Sequence, residues 1–136
     1  MRYLLDTNIL SELFKKQPEP KVSRWLEAAD QDSLYLSVLT VGEIRKGIEK
    51  MQQGSRKTRL IQFLEKDIPD QFEERILSVD LKVAEAWGLL EAQAHRPLPT
   101  VDAMLAATAL AHNLTLVTRN TQDFSFSGLK LINPWM

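Results

Sequence analysis

Short apolar runs alternate with longer segments in which apolar residues recur every three or four positions. The short runs are typical of buried strands, whereas the second spacing places apolar side chains on one face of an α-helix. The predicted strands cover residues 2–5, 34–37, 76–79, 114–118 and 129–132. The predicted helices cover residues 8–16, 20–29, 38–53, 55–66, 83–94 and 101–112. The pattern therefore predicts strands and helices in alternation along almost the whole chain.

Strands that alternate with helices form parallel βαβ units, because two parallel strands need a crossover connection between them. We therefore expect an α/β fold of three layers, with a central parallel sheet flanked by helices. The helix at 101–112 is apolar almost all round, which predicts a buried helix. Ile68-Pro69-Asp70 is predicted to end the helix at 55–66. A chain of 136 residues without a linker is expected to form one domain, residues 1–136.

Composition excludes several kinds of chemistry. The chain has no cysteine, so disulfides, thiolate nucleophiles and Cys-bound zinc are excluded. His95 and His112 lie far apart in the sequence, so a metal site would need oxygen ligands, which suit Mg²⁺ or Mn²⁺. The net charge of -1 gives no overall attraction to nucleic acid. No apolar run reaches membrane-spanning length and no secretory signal begins the chain, so we expect a cytoplasmic protein.

Four carboxylates follow strands or lie near the starts of helices. Asp6 ends the first strand, and its alternative role is to cap the next helix. Glu43 lies beside the apolar face of its helix, where the spacing alone places it in solvent. Asp102 starts the last helix and either complements the helix dipole or faces a cation. Asp123 follows the strand at 114–118, where the alternative is an Asx turn that closes a loop.

Taken together, these acids are expected to meet in one crevice, because the carboxyl ends of parallel strands share one edge of the sheet. Carboxylates gathered at one place repel one another and keep their charge at neutral pH only beside cations. Two divalent ions roughly 4 Å apart would neutralise the acids, bind a phosphodiester and produce hydroxide from bound water. We therefore predict a metal site formed by Asp6, Glu43, Asp102 and Asp123.

Five further motifs are spread along the chain. They are residues 5–13 (LDTNILSEL), 37–44 (SVLTVGEI), 102–109 (DAMLAATA), 118–124 (TRNTQDF) and 133–135 (NPW). In this order they resemble the PIN-domain nucleases, most closely the VapC/FitB-type toxins of bacterial toxin–antitoxin pairs. The resemblance implies a PIN-like α/β/α fold. It also implies an endoribonuclease that depends on Mg²⁺ or Mn²⁺ and leaves a 5′-phosphate on its product.

The resemblance further implies roles for individual residues and for partners. The core metal ligands would be Asp6, Glu43 and Asp102, with Asp123 as a fourth that acts directly or through water. The groups that orient carboxylates and water would be Thr7, Asn8, Thr118 and Asn120. Proteins of this kind usually form homodimers and are silenced by a small antitoxin that also binds operator DNA. The expected partners are therefore RNA, an antitoxin, a second copy of the chain and, only through the antitoxin, DNA.

Cations cluster on two consecutive predicted helices. They are Arg45, Lys46, Lys50, Arg56, Lys57 and Arg59. If the two helices pack together, these side chains could line a groove that leads to Glu43 and hold the RNA backbone. The alternative is a solvated helical face on which Glu49 pairs with nearby lysines.

Two other functions are compatible with an acidic α/β domain. A PIN fold could serve only as a catalytically silent binding module that acts through an antitoxin–DNA complex, but the presence of all four acids argues against this. A receiver-type phosphoacceptor domain needs adjacent acids after its first strand, and here Thr7 follows Asp6. Metal-dependent RNA hydrolysis is therefore the function that the sequence favours.

Overall fold

Five short parallel strands form one sheet in the computed structural model, which describes residues 1–126 and 128–136. The strands are β1 (Tyr3–Leu5), β2 (Leu34–Ser37), β3 (Ile76–Leu77), β4 (Thr115–Val117) and β5 (Leu131–Ile132). Both β3 and β5 are shorter than predicted. The order across the sheet is β3-β2-β1-β4-β5, so β1 lies between β2 and β4. The carboxyl ends of these three central strands therefore meet at the same edge of the sheet.

Seven α-helices follow or flank the strands in the described part of the chain. They are α1 (Thr7–Glu12), α2 (Pro20–Ala28), α3 (Val38–Glu49), α4 (Ser55–Gln62), α5 (Ile68–Phe72), α6 (Leu81–Gln93) and α7 (Thr100–Ala111). Among residues 1–126 and 128–136, none of the helices has the length and apolarity needed to cross a membrane. Three of them start close to the carboxyl edge of the sheet, since α1 and α3 begin directly after β1 and β2, and Asp102 of α7 lies within electrostatic reach of Asp6.

The central strands separate two apolar cores. Leu5 of β1 and Val117 of β4 belong to the core that includes residues of α1 to α5. Leu4 and Leu116 belong to the other core, with residues of α6 and α7. Neighbouring residues of a strand project to opposite faces, so both faces of the sheet are covered. This confirms the predicted three-layer α/β fold, and α7 is buried along most of its length, as its composition predicted.

The helix predicted at 55–66 does not end at Ile68-Pro69-Asp70, so that prediction was wrong. A π-helical turn (Phe63–Asp67) follows α4 directly, and α5 begins at the next residue. Pro69 lies in the first turn of α5, where a backbone N–H has no acceptor within the helix and proline is tolerated. The wider turn changes the hydrogen-bond register, so the proline stands near the start of a helix instead of terminating one.

Candidate active site

Asp6 is held rigidly at the end of the central strand. Its backbone N–H donates to the carbonyl of Val117 (2.9 Å), which extends the pairing of β1 with β4 by one residue. Its Oδ1 accepts from the backbone N–H of Thr7 (2.7 Å), and its Oδ2 accepts from the hydroxyl of Thr118 (2.7 Å). The residue is only 7% exposed. Asp6 therefore caps α1 and lies at the carboxyl edge of the sheet, so the two roles considered for it are compatible.

Thr7 links the end of β1 to α3. Its hydroxyl donates to Oε1 of Glu43 (2.5 Å), which places this carboxylate beside Asp6 although the two residues are far apart in sequence. Glu43 is exposed, as its position on the helix predicted. Glu43 is therefore both exposed and part of the acidic site, because the crevice is open to solvent at this point.

The carboxyl of Asp102 interacts electrostatically with the three other acids. The residue is half-buried in the first turn of α7. Burial raises the pKa of its carboxyl above the ordinary value, and the negative charges of Asp6, Asp123 and Glu43 raise the pKa further. Each of the three other acids is therefore close enough to disfavour the ionised form of Asp102, as expected for carboxylates that share a site.

The pKa of Asp6 is also raised, chiefly because burial penalises the charged carboxylate. The hydrogen bonds from Thr118 and Thr7 oppose this effect, since they stabilise the ionised form, and the charge of Glu43 adds to it. Without a cation, neutral pH therefore forces negative charge into a partly buried site. A positive ion between the acids would relieve this cost.

A chain of hydrogen bonds leads from the Asp6 carboxylate through Thr118 to Asn8 and Asn120. The hydroxyl of Thr118, which donates to Asp6, accepts from the backbone N–H of Asn120 (3.1 Å) and from Nδ2 of Asn8 (3.4 Å). Oδ1 of Asn8 is buried and has no hydrogen-bond partner among the described residues. Thr118 thus contacts Asp6 directly and Asn8 contacts Thr118 through its side chain, whereas Asn120 contributes its backbone.

Asp123 lies in the 3₁₀ turn Thr121–Phe124, which follows β4. Its backbone N–H donates to the carbonyl of Asn120 (3.0 Å), and its side chain is exposed. Its negative charge is among those that raise the pKa of Asp102, which indicates that the two carboxylates lie near each other. The four predicted carboxylates are thus brought together at one edge of the sheet.

The donor set suits a hard divalent cation. The candidate ligands are all carboxylate oxygens, and their negative charges repel one another. Within residues 1–126 and 128–136, no three His, Asp or Glu side chains are already arranged to hold a metal ion. A bound cation would therefore have to draw the carboxylates closer together. Asp6 and Asp102, which are the least solvated, have the most to gain from such a charge.

The six predicted RNA-binding cations differ in their surroundings. Arg45 pairs with Glu49 (3.2 Å) and Glu65 (2.6 Å), and Lys57 is buried, with its Nζ donating to the carbonyl of Met51 (3.3 Å). These two side chains are committed to interactions within the protein. The exposed members are Lys46, Lys50, Arg56 and Arg59.

An open cavity of about 510 Å³ adjoins the acidic site on the α3 side. Glu43 lines it together with Lys46, Lys50 and Val101, the residue before Asp102. Gly42 and Gly47 also line it, and neither was predicted to matter. The signal available in the sequence was the presence of two glycines inside a helical pattern, where glycine is unfavourable.

The fold and the acidic site together define a class of protein. Residues 3–126 match the family described as PIN domain. The chain belongs to the PIN-domain family. It is 41% identical over 135 residues to the plasmid stability protein StbB of Pseudomonas syringae pv. tomato, and the alignment covers 97% of each chain. It is 38% identical over 135 residues to VapC ribonuclease Y4jK of Sinorhizobium fredii, with 97% of this chain and 96% of that one covered.

Solved structures of similar proteins have the same fold. The crystal structure of FitAcB from Neisseria gonorrhoeae superposes with a TM-score of 0.91 at 36% identity and covers 98% of each chain. A toxin–antitoxin complex from Klebsiella pneumoniae superposes with a TM-score of 0.73 at 30% identity and covers 97% of each chain. The predicted resemblance to PIN-domain toxins is therefore confirmed over the length of the chain.

Proposed function

We propose that this chain, acting as one domain over residues 1–136, is the endoribonuclease toxin of a type II toxin–antitoxin pair. The observation that carries the proposal is the acidic cluster at the edge of the sheet, where Thr118 holds Asp6 and Thr7 holds Glu43, with the charges of Asp102 and Asp123 nearby. Such a cluster is suited to phosphodiester hydrolysis by bound divalent ions. The names of the similar proteins, which include a ribonuclease, support RNA as the substrate.

Mg²⁺ or Mn²⁺ is the proposed cofactor, held by Asp6, Glu43, Asp102 and Asp123. When bound there, the ion would supply hydroxide from water and neutralise negative charge on the phosphate that is attacked. Hydrolysis adds the water oxygen to phosphorus and breaks the P–O3′ bond. One product then begins with a 5′-phosphate, and the other takes a proton on its 3′-oxygen.

The residues around the acids have positioning roles in this proposal. Thr118 and the Thr7 backbone N–H orient the two oxygens of Asp6, and the Thr7 hydroxyl orients Glu43. Nδ2 of Asn8 donates to the hydroxyl of Thr118 and so supports the group that holds Asp6. No side chain needs to act as the nucleophile, because water fills that role.

An antitoxin protein is the proposed inhibitor, and the similarity to a toxin–antitoxin complex supports this partner. The chain would reach operator DNA only through the antitoxin. A net charge of -1 fits this arrangement, because it gives the chain by itself no general attraction to duplex DNA. We further propose that the toxin forms a homodimer and acts in the cytoplasm, where its RNA substrates are found.

Cleavage of a structured RNA by the purified chain, free of any partner, tests the proposal. We expect cleavage with Mg²⁺, none with EDTA, and none with Asp6→Asn. Asp32→Asn is the matched control, because Asp32 is exposed and its carboxylate accepts no hydrogen bond from the described residues. Cleavage that persists in Asp6→Asn would exclude the carboxylate mechanism. Tight antitoxin binding without cleavage of any RNA would instead favour the silent binding module.

A further inference from the structure

Residues 133–135 (NPW) follow β5 at the carboxyl edge of the sheet. Among the described residues, none of the three forms a hydrogen bond with any of the four acids. Pro134 is buried, and Trp135 packs against the core that contains Leu5. Packing therefore accounts for the proline and the tryptophan, but it does not account for the amide of Asn133.

The side chain of Asn133 uses both ends of its amide. Its Oδ1 accepts from the backbone N–H of Trp135 (2.9 Å), which fixes the orientation of the amide. Its Nδ2 donates to the carbonyl of Arg119 (3.2 Å), 14 residues earlier in the chain. A second contact joins the same two segments, since the Arg119 guanidinium lies over the Trp135 ring, 5.4 Å from its centroid. The motif thus holds the residue that follows Thr118.

The carbonyl of Arg119 and the N–H of Asn120 belong to one peptide group. This group is trans and planar, so holding its oxygen also fixes the direction of its N–H. The N–H donates to the hydroxyl of Thr118 (3.1 Å). Asn133 therefore acts, through a single rigid peptide group, on the hydroxyl that holds Asp6.

The hydrogen bonds of the Thr118 hydroxyl show why this matters. A hydroxyl can donate one hydrogen bond and accept two. Both acceptor positions of Thr118 are filled, one by the N–H of Asn120 and the other by Nδ2 of Asn8 (3.4 Å). The single hydroxyl proton is thus directed to Oδ2 of Asp6 (2.7 Å). If the N–H of Asn120 turned away, the hydroxyl would be free to rotate its proton from Asp6 to another acceptor.

On the basis of the proposed function, we propose that Asn133 is a positioning residue for the metal site. It holds the Asp6 carboxylate in place through the 119–120 peptide group and the Thr118 hydroxyl, without touching an acid itself. Trp135 orients the Asn133 amide and stacks on Arg119, so the motif works as a unit. This role differs from packing, because it depends on an N–H donor at position 133 and not on the bulk of the side chain.

Asn133→Asp separates the two roles. Aspartate has nearly the same shape and keeps the acceptor for the Trp135 N–H, but it puts an oxygen in place of the donor to Arg119. We expect the dissociation constant for Mn²⁺, measured on the full chain by electron paramagnetic resonance of the free ion, to rise about fivefold, the factor that one neutral hydrogen bond supplies. A nearby negative charge by itself would strengthen cation binding, so charge and positioning predict opposite signs.

Asn113→Asp is the matched control. Asn113 is exposed and precedes β4, so it lies at the amino edge of the sheet, away from the acids. The variant makes the same change of charge and should leave Mn²⁺ binding unchanged. The Tm of each variant, recorded alongside, shows that the protein is folded.

Two further measurements test the route through Thr118. If Asn133 acts through the hydroxyl, Asn133→Asp should cause no further loss of Mn²⁺ affinity in a Thr118→Val background, because the two effects are not independent. Hydrogen exchange of the Asn120 amide, followed by NMR, should be about fivefold faster in Asn133→Asp. The Leu116 amide, which donates to the carbonyl of Lys130 within the sheet, should be unaffected.

The wild type separates this role from the proposed function. If the wild type binds Mn²⁺, an unchanged or tighter dissociation constant in Asn133→Asp would overturn the positioning role, and so would a loss confined to the Tm. An equal loss of affinity in the Thr118→Val background would overturn the route through the hydroxyl. If the wild type binds no Mn²⁺, the proposed metal site fails and the positioning role fails with it. If it binds Mn²⁺ but cleaves no RNA, only the nuclease function fails, and weaker Mn²⁺ binding by Asn133→Asp would still support the positioning role.

Discussion

Thr118 donates its hydroxyl to Oδ2 of Asp6 (2.7 Å) across a separation of 112 residues in the sequence. The bond joins the ends of β1 and β4 and is buried. It stabilises the ionised carboxylate, which burial would otherwise disfavour. The pairing of β1 with β4 thus places the Thr118 hydroxyl within hydrogen-bonding distance of the buried Asp6 carboxylate.

Thr118→Val should lower both activity and stability. Valine matches the shape of threonine but leaves Oδ2 of Asp6 without a donor, which costs about 1–3 kcal/mol for a buried group. The pKa of Asp6 should rise further, so the kcat profile should shift to higher pH. Thr118→Ser keeps the hydroxyl and should restore the wild-type profile. A valine variant with an unshifted profile would show that the hydroxyl does not control the Asp6 carboxylate.

Thr7→Val should weaken the response to metal without unfolding the protein. Without the hydrogen bond from Thr7, the exposed carboxylate of Glu43 is free to rotate away from Asp6. Loss of a group that orients a ligand typically costs tenfold or more in metal affinity. We expect the Mg²⁺ concentration for half-maximal cleavage to rise about tenfold. Thr7→Ser should behave as the wild type, and an unchanged Mg²⁺ requirement in the valine variant would contradict the role.

Asp102→Asn should abolish cleavage yet stabilise the metal-free protein at neutral pH. The pKa of Asp102 in the folded state lies above its ordinary value of 3.8. The folded state therefore binds the proton more tightly than the unfolded state, and stability from this group is lost as pH rises through the folded pKa.

Thermal unfolding in EDTA at several pH values tests whether stability falls as pH rises, as predicted. The wild type should gain Tm on acidification relative to Asp102→Asn, and the two curves should diverge above pH 4 or so, since an unfolded aspartate titrates near 3.9. Added Mg²⁺ should raise the Tm of the wild type much more than that of the variant. If Asp102→Asn is less stable than the wild type at neutral pH without metal, the charge of Asp102 does not destabilise the folded protein.

Glu12 should show the opposite pH dependence. The residue is only 4% exposed, and its carboxylate pairs with Lys15 (2.8 Å) and accepts from the backbone N–H of Glu19 (2.9 Å). The Lys15 interaction and the Glu19 hydrogen bond lower the pKa of Glu12. The stability it provides is therefore present above the unfolded pKa and is lost as pH falls through the folded pKa.

Glu12→Gln should consequently lower the Tm at neutral pH, and the difference from the wild type should shrink under acidic conditions. RNA cleavage should persist, because Glu12 is not one of the four acids. Lys15→Ala should have a smaller effect, since the backbone hydrogen bond from Glu19 remains. A deficit in Tm that is the same at all pH values would indicate impaired packing and not the removal of a charge.

Much of the fold follows from local patterning. The strands, the flanking helices and the position of Asp6 were predicted because apolar spacing and strand ends are encoded by neighbouring residues. Pro69 shows where local rules fail, since proline was expected to end a helix. The π-helical turn before it depends on how α4 and α5 pack in the core that contains Leu64 and Ile68, which no short window of sequence contains.

The acidic site was likewise predictable from the sequence only in part. The sequence by itself determined which acids stand at strand ends and helix starts, and that the chain offers oxygen ligands and no thiols. Only the tertiary structure decided that the exposed Glu43 meets Asp6 through Thr7, and that Arg45 is paired while Lys46 lines the open cavity. The physical reason is that periodicity reports which face of an element is buried, whereas ion pairs and hydrogen bonds depend on which elements pack together.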